Sequence, residues 1–115
     1  MTQAEIDPQT FAELQETAGA DFVRELVDTF LVEAPLMLAE LRDSLAARSV
    51  DRFRRAAHSL KSNSHTFGAL ALGAAARDLE LRAAECVAAA DARPLDALAE
   101  TYARVATALA EMSRA

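Results

Sequence analysis

The strongest constraint on the fold is the recurrence of apolar residues every three or four positions along most of the chain. One run comprises Val23, Val27, Phe30, Ala34, Leu38, Leu41 and Leu45. A second run comprises Leu95, Leu98, Tyr102, Val105, Leu109 and Met112. This spacing places side chains on one face of an α-helix. Both segments are therefore predicted to be amphipathic helices that bury one face.

The composition favours the same fold class. Apolar residues make up 52% of the 115 residues, but aromatic residues make up only 5%, and much of the apolar share is alanine. Strands draw on β-branched and aromatic residues, whereas alanine favours helices. Three glycines and three prolines are too few for the many turns of an all-β domain. We therefore expect an all-α protein.

Local signals mark the start of the chain's first two helices. Asp7 followed by Pro8 is typical of an N-cap and a first helical position. A short helix is predicted to run from there to about Thr17, and Gly19 should end it. The long apolar run then predicts a second helix from about Asp21.

The middle of the chain contains one helix breaker and one clear helix start. Proline inside a helix removes a hydrogen bond and clashes with the preceding turn. We therefore expect a kink or short break near residues 33–35, with the two halves continuing as one bent element. Ser49 is a suitable N-cap for the third helix, and Asp51 in its first turn complements the helix dipole. Gly68 should end that helix.

A fourth helix is predicted over residues 69–89, and Gly73 within it would permit a close backbone approach. Its inward residues are expected to be Leu72, Ala76, Leu79, Ala83 and either Cys86 or Val87. A turn follows at residues 91–94, where Pro94 would open the last helix. Because the connections are short, neighbouring helices should pack antiparallel. The predicted architecture is an up-down antiparallel four-helix bundle with a short additional N-terminal helix, forming one domain over residues 1–115.

Charge and cysteine content narrow the class of protein. A net charge of −6 argues against nucleic-acid binding, which needs a basic field. The single cysteine, Cys86, cannot form an internal disulfide and suits a reducing cytoplasm. No apolar run is long enough to span a bilayer, and the polar residues that follow Met1 do not resemble a signal peptide. We therefore expect a cytoplasmic protein that contacts neither membranes nor nucleic acid.

The third predicted helix has two contrasting faces. The apolar face comprises Phe53, Ala57, Leu60 and Phe67, with the small Ser64 among them. The polar face comprises His58, Lys61, Ser62 and His65. Residues three and four apart meet on a helix surface, so His58 should have a cation one turn along and a small hydroxyl beside it.

Few chemistries fit this chain. It has no Gly-rich phosphate loop, no CxxC or HExxH motif, and no credible Ser, His and acid set. His58 and His65 would lie roughly 10 Å apart along the helix, too far for a metal pair. A neutral imidazole can instead attack phosphorus while a nearby cation offsets the charge of the phosphoryl oxygens. The alternative is that His58 and Lys61 are ordinary surface residues.

The segment HSLKSNSHTFGA resembles the signature of histidine-containing phosphotransfer (HPt) domains, which reads His-x-hydrophobic-Lys-Gly, then small residues and a glycine. His58, Leu60, Lys61 and Gly68 match this pattern. The upstream segment is also similar to the family's first helices, including the acidic-Ala-Pro at residues 33–35. The resemblance implies a four-helix bundle with a short N-terminal helix. It also implies a phosphoacceptor at His58, assisted by Lys61, and receiver domains that dock over that face, with Gly68 as part of the docking surface.

This sequence departs from the family pattern in two places. Ser62 stands where glycine usually follows the lysine, and His65 stands where a small residue is common. Serine is small, so we expect docking to survive, whereas His65 should narrow the set of partners. Arg54 and Arg55 lie one turn before His58, and we expect a positive patch there to steer an acidic partner. Alternatively, both arginines pair with acids on neighbouring helices.

The resemblance implies a phosphorelay intermediate. It would accept a phosphoryl group on His58 from a receiver-domain aspartate and pass it to another receiver, with no ATP-binding or kinase site of its own. Its partners would be response-regulator receivers or a hybrid histidine kinase, and any Mg²⁺ would come with the partner. We expect a monomer without a cofactor. Two alternatives remain: a helical interaction module without chemistry, and a kinase dimerisation domain, although the His-Glu-x-Arg-Thr-Pro motif typical of the latter is absent.

Overall fold

The computed structural model describes residues 5–114, which form six α-helices and no strand. The helices are α1 (Pro8–Ala18), α2 (Ala20–Ala46), α3 (Val50–Thr66), α4 (Leu70–Leu81), α5 (Ala83–Ala89) and α6 (Arg93–Arg114). Met1 to Ala4 and Ala115 lie outside the described residues, so the expectation of no signal peptide remains a prediction. The all-α fold class is confirmed.

The first helix begins and ends where local chemistry predicts. The Asp7 side chain accepts a hydrogen bond from the Gln9 amide, and Pro8 occupies the first turn. Thr10 adds a hydroxyl that donates to the other Asp7 oxygen at 2.7 Å. At the far end, Gly19 adopts a φ of 92° and its N–H bonds to Gln15 O. Such a φ favours glycine, so the turn into α2 depends on this residue.

The second helix continues through Pro35, and the alternative of a short break is wrong. Proline lacks the N–H that would bond to the carbonyl four residues back, which belongs to Leu31. That carbonyl lies 3.5 Å from the Tyr102 hydroxyl on α6, a long contact that gives it a donor. Pro35 itself is exposed, while Ala34 beside it is fully buried. The missing hydrogen bond is therefore tolerated because packing holds both sides of the helix.

The predicted fourth helix is two helices, α4 and α5, which are interrupted at Arg82. Arg82 has φ −107° and ψ 22°, and its guanidinium contacts Asp78 on one side of the interruption and Glu85 on the other. No glycine or proline marks this position in the sequence, so the prediction of one continuous helix is wrong. Of the two residues proposed to point inward at the end of this segment, Val87 is the buried one, whereas Cys86 is only partly buried.

The helices α2, α3, α4 and α6 form the bundle. In it, α3 packs between α2 and α4, α6 packs against α2 and α4, and α1 lies against α2. The predicted apolar seams line the core. There the ring centroid of Phe30 lies 5.3 Å from that of Phe67 and 6.0 Å from that of Tyr102. Among residues 5–114, no helix is long and apolar enough to cross a membrane.

Candidate functional site

The α3 helix is held by its apolar face, which fixes the direction of its polar face. Phe53, Ala57 and Leu60 are almost fully buried. Ser64 is buried among them because its hydroxyl donates to Leu60 O at 2.6 Å, which satisfies the polar group within the helix. The helix starts where the Ser49 side chain accepts from the Arg52 amide, as predicted.

A clamp between α2 and α3 further fixes the helix. The Arg52 guanidinium donates two hydrogen bonds to Glu40, at 3.0 Å and 2.8 Å. The contact with Arg52 lowers the pKa of the Glu40 carboxyl. Bidentate arginine–carboxylate pairs are directional as well as charged. The clamp therefore restrains the rotation of α3 about its axis, and with it the direction of the polar face.

The polar face presents His58 beside a carboxylate from α4. His58 Nδ1 lies 2.8 Å from Glu80 Oε2, while 57% of the His58 side chain stays exposed. An ionised carboxylate can only accept a hydrogen bond, so a neutral His58 must carry its hydrogen on Nδ1. Its Nε2 then keeps a free lone pair. The hydrogen bond thus selects which ring nitrogen can act as a nucleophile.

Lys61 contacts the other oxygen of the same carboxylate. Its ammonium lies 2.9 Å from Glu80 Oε1, as an ion pair rather than a well-directed hydrogen bond. The side chains of Lys61 and Glu80 are only 22% and 19% exposed. The pKa of Glu80 is lowered mainly by Lys61 and secondarily by His58, against the opposing effect of burial. His58, Lys61 and Glu80 therefore form one connected group, which we call the His–Glu–Lys triad.

Glu80 is the site residue that the sequence analysis missed. It lies on α4, outside the motif that identifies His58 and Lys61, and it meets them only because α3 and α4 form an antiparallel pair around Gly68. His65 lies against Gly73 across this pair. Moving seven residues away from the turn on each helix leads to His58 and Glu80. Knowledge of the register between α3 and α4 would have placed the Glu80 carboxylate beside His58.

The arginines that precede His58 have different surroundings. Arg54 pairs with Asp51 of its own helix at 3.5 Å and is half exposed. Arg55 lines an open groove of about 570 Å³ between α2 and α3, together with Glu33 and Glu40. Within residues 5–114, Arg55 is in no ion pair of 4 Å or less. Neither arginine therefore pairs with an acid on a neighbouring helix, as the alternative to steering required.

Gly68 forms the turn between α3 and α4. It has a φ of 79°, and its carbonyl accepts the Asp7 amide at 2.9 Å. A Cβ there would lie 2.9 Å from Thr10 Cβ on α1. Gly68 is buried, so its predicted contribution to a docking surface is wrong, whereas Ser62 and His65 are exposed on the same side as His58.

The family follows from a comparison with known proteins. The model of the Hpt domain matches residues 25–114, a stretch that includes His58, Lys61 and Glu80. The chain belongs to the Hpt family. Hpt domains are phosphotransfer modules of two-component signalling, so the resemblance noted in the sequence is confirmed.

A solved structure supports the fold of this Hpt domain. Histidine-containing phosphotransfer protein B from Pseudomonas aeruginosa is similar with a TM-score of 0.82, over 98% of this chain and 97% of that chain. The sequences are 24% identical, so the likeness establishes the helical bundle. No match is found among curated protein sequences.

In the described part of this Hpt domain, the side chains of types that can bind a metal ion do not cluster. Among residues 5–114, no three side chains of His, Cys, Asp or Glu are close enough together to hold a metal ion. Glu80 is the only carboxylate in contact with His58 within the described part of the chain. Its oxygens are occupied by the imidazole and the ammonium.

Proposed function

We propose that this chain is a phosphorelay intermediate in which His58 accepts a phosphoryl group from the aspartyl phosphate of one receiver domain and passes it to the aspartate of another. The observation that carries the proposal is the 2.8 Å contact between His58 Nδ1 and Glu80 Oε2. It leaves Nε2 as the nucleophile on a side chain that is 57% exposed. An exposed nucleophile is what in-line attack on a protein-borne phosphoryl group requires.

The transfer forms one bond and breaks one. The Nε2 lone pair of His58 attacks phosphorus, the bond between phosphorus and the aspartyl oxygen breaks, and the aspartate leaves as a carboxylate. The Nδ1 hydrogen stays between His58 and Glu80, whose negative charge offsets the positive charge that the ring acquires. Transfer to the second receiver reverses these bond changes with a new aspartate.

Lys61 would have two roles in this reaction. Its contact with Glu80 keeps the carboxylate ionised, since that contact is the largest cause of the lowered Glu80 pKa. Its ammonium also lies one helical turn from His58, where it can offset the charge of the phosphoryl oxygens. Mg²⁺, where the reaction needs it, would be held by the receiver rather than by this chain.

The receiver would dock over the exposed face of α3 and the adjoining groove. Ser62 and His65 extend the face beyond His58, while Arg54 and Arg55 extend it in the opposite direction. Two apolar side chains of α2 are also available for docking: Val32 is 66% exposed and Leu36 is 65% exposed. Leu36 lines the groove. A mixed apolar and basic surface of this kind suits an acidic protein partner.

We further propose that the relay acts as a monomer in the cytoplasm. The single Cys86 forms no internal disulfide, and burial raises the pKa of its thiol, which makes it a poor nucleophile. Gel filtration should give the mass of one chain, 12.3 kDa. A stable dimer would instead favour the dimerisation domain of a histidine kinase.

Phosphoryl transfer tests the proposal directly. The protein would be incubated with ³²P-phosphorylated receiver domains from its own source. At least one receiver should transfer label to it in an acid-labile, base-stable form, as expected of a phosphoramidate. An unphosphorylated second receiver should then remove the label. Failure of every phosphorylated receiver to label the protein would contradict the proposed function.

A further inference from the structure

Gly73 leaves a notch in α4 that the ring of His65 occupies. Gly73 is buried on the side of α4 that faces α3. A Cβ at this position would overlap the His65 ring at Cδ2 and Nε2, and would lie 3.3 Å from Cε1. The imidazole of His65 therefore lies directly against the Cα of Gly73, in space that only glycine leaves open. The close approach expected at Gly73 is real, but a side chain makes it rather than a backbone.

The surrounding sequence makes this glycine costly. Helix α4 reads LALGAAARDLEL, so alanine, the best helix former, occupies several positions around Gly73. Glycine in a helix interior is about 1 kcal/mol less favourable than alanine. No positive φ or turn requires glycine here, since Gly73 lies within the regular helix. The space for His65 is the structural reason for glycine at this position.

The position of His65 gives the notch a consequence for docking. His65 is exposed and lies two turns after His58 on the same face. Helical side chains lean towards the N-terminus of their helix. A ring displaced from the notch would therefore stand over the preceding turn, which carries Lys61 and Ser62. That surface lies beside the nucleophile, and the small side chain of Ser62 leaves it open to a docking partner.

We propose that Gly73 is a positioning residue and that the His65–Gly73 pair sets which receivers can dock. By accepting the imidazole, Gly73 keeps a bulky side chain off the surface over Lys61 and Ser62. The inference rests on the proposed phosphotransfer function and deepens it, because it names the feature that governs partner fit. While its ring lies in the notch, His65 excludes only those receivers that would contact the part of the ring that remains exposed.

The test is a double-mutant cycle with the phosphorylated receiver that labels the wild-type protein. Gly73→Ala should raise the KM for that receiver about tenfold, which corresponds to ~1.4 kcal/mol, with little change in kcat. The double variant Gly73→Ala/His65→Ala should regain the wild-type KM, because no ring remains to be displaced. His65→Tyr in the native Gly73 background should also raise KM, since the longer ring does not fit the notch. This surface variant tests docking even where Gly73→Ala fails to fold.

Labelling by the small phosphodonor phosphoramidate separates the two claims. It needs no docking, so every variant should accept phosphate from it at the wild-type rate. A wild-type protein that neither phosphoramidate nor any receiver labels would contradict the proposed function itself. Wild-type KM values for both Gly73→Ala and His65→Tyr would overturn the inference about the notch. So would a Gly73→Ala defect that His65→Ala fails to reverse.

Discussion

At the scale of single residues, Glu80 joins His58 and Lys61 through opposite oxygens of one carboxylate. The contacts are 2.8 Å and 2.9 Å long, and the carboxylate is largely shielded from solvent. Shielding strengthens both interactions because water competes less for the charged groups. The carboxylate thus orients the imidazole and balances the ammonium, while most of the His58 side chain stays exposed.

This arrangement predicts the tautomer of His58. ¹⁵N NMR of the neutral imidazole should show the hydrogen on Nδ1, because Glu80 accepts it. Glu80→Ala should abolish that preference and slow phosphotransfer. Outer carboxylates that orient metal-bound histidines contribute about 10- to 100-fold, and we expect the lower end of that range here. Glu80→Gln is the matched control, because its amide oxygen can still accept the hydrogen bond. A wild-type preference for Nε2–H would contradict this account.

Lys61 should assist transfer without being essential to it. In closed sites, loss of one charge-stabilising donor costs on the order of 100- to 1,000-fold. Lys61 itself is largely shielded, but a phosphoryl group on the exposed His58 would be open to solvent and salt, so Lys61→Ala should slow transfer roughly tenfold. Arg104→Ala, which removes one positive charge from α6, is the control and should transfer normally. An unchanged rate for Lys61→Ala would show that Lys61 is only a surface charge.

The motif within one helix could be identified from the sequence, but the third member of the triad could not. His58 and Lys61 are neighbours on α3, so their spacing alone brings them together. Glu80 reaches them across the α3–α4 interface, and the apolar pattern of α4 specifies its buried face without specifying its register against α3. That register, in which His65 lies against Gly73, is a property of packing between the two helices rather than of either helix alone.

At the scale of elements, the helix ends that could be predicted are those with local chemistry. Asp7, Ser49 and Gly68 act through their own side chain or backbone conformation, so the sequence around them is sufficient. Arg82 interrupts a run without glycine or proline and is held by ion pairs on both sides. Continuity through Pro35 depends on burial in the bundle and on a contact from α6. Continuity through Pro35 thus depends on tertiary contacts that local patterns do not encode, whereas the ion pairs of Arg82 are local but carry no helix-breaking signal.

The turn at Gly68 offers a test of this scale. Gly68→Ala should destabilise the protein twice, through a left-handed φ and through overlap with Thr10. Gly19→Ala is the control, because Gly19 also has positive φ but nothing lies within 4 Å of a Cβ there. Backbone strain costs about 1–3 kcal/mol in each variant, and the overlap should add ~1–3 kcal/mol in Gly68→Ala alone. Urea unfolding measures both, and equal losses of unfolding free energy would contradict the packing of α1 on this turn.

At the scale of the whole molecule, we predict that Arg54 and Arg55 form a local basic patch on a protein whose net charge is −6. Arg54 and Arg55 lie one turn before His58, and neither pairs with an acid on another helix among the described residues. Long-range attraction of an acidic partner acts on the association rate and is screened by salt. The patch would therefore direct encounters to the face that carries the nucleophile.

This predicts a salt-dependent defect in Arg55→Glu. Association with a phosphorylated receiver, followed by stopped flow at low ionic strength, should be slower than for the wild type. The deficit should shrink as salt is raised, because the Debye length falls to about 10 Å at 0.1 M. Arg104→Glu on α6 makes the same change in net charge away from the patch and should associate normally. Near-wild-type association of Arg55→Glu at low salt would leave these arginines as solvated surface.

The central claim is that His58 is the sole phosphoacceptor, and the most direct measurement compares labelling of three proteins by one phosphorylated receiver. The wild type and His65→Gln should both acquire acid-labile, base-stable label, since His65 lacks the contacts with Glu80 and Lys61 that define the triad. His58→Gln should acquire none while keeping the helical content of the wild type. Label that persists on His58→Gln, or that disappears from His65→Gln, would contradict the assignment.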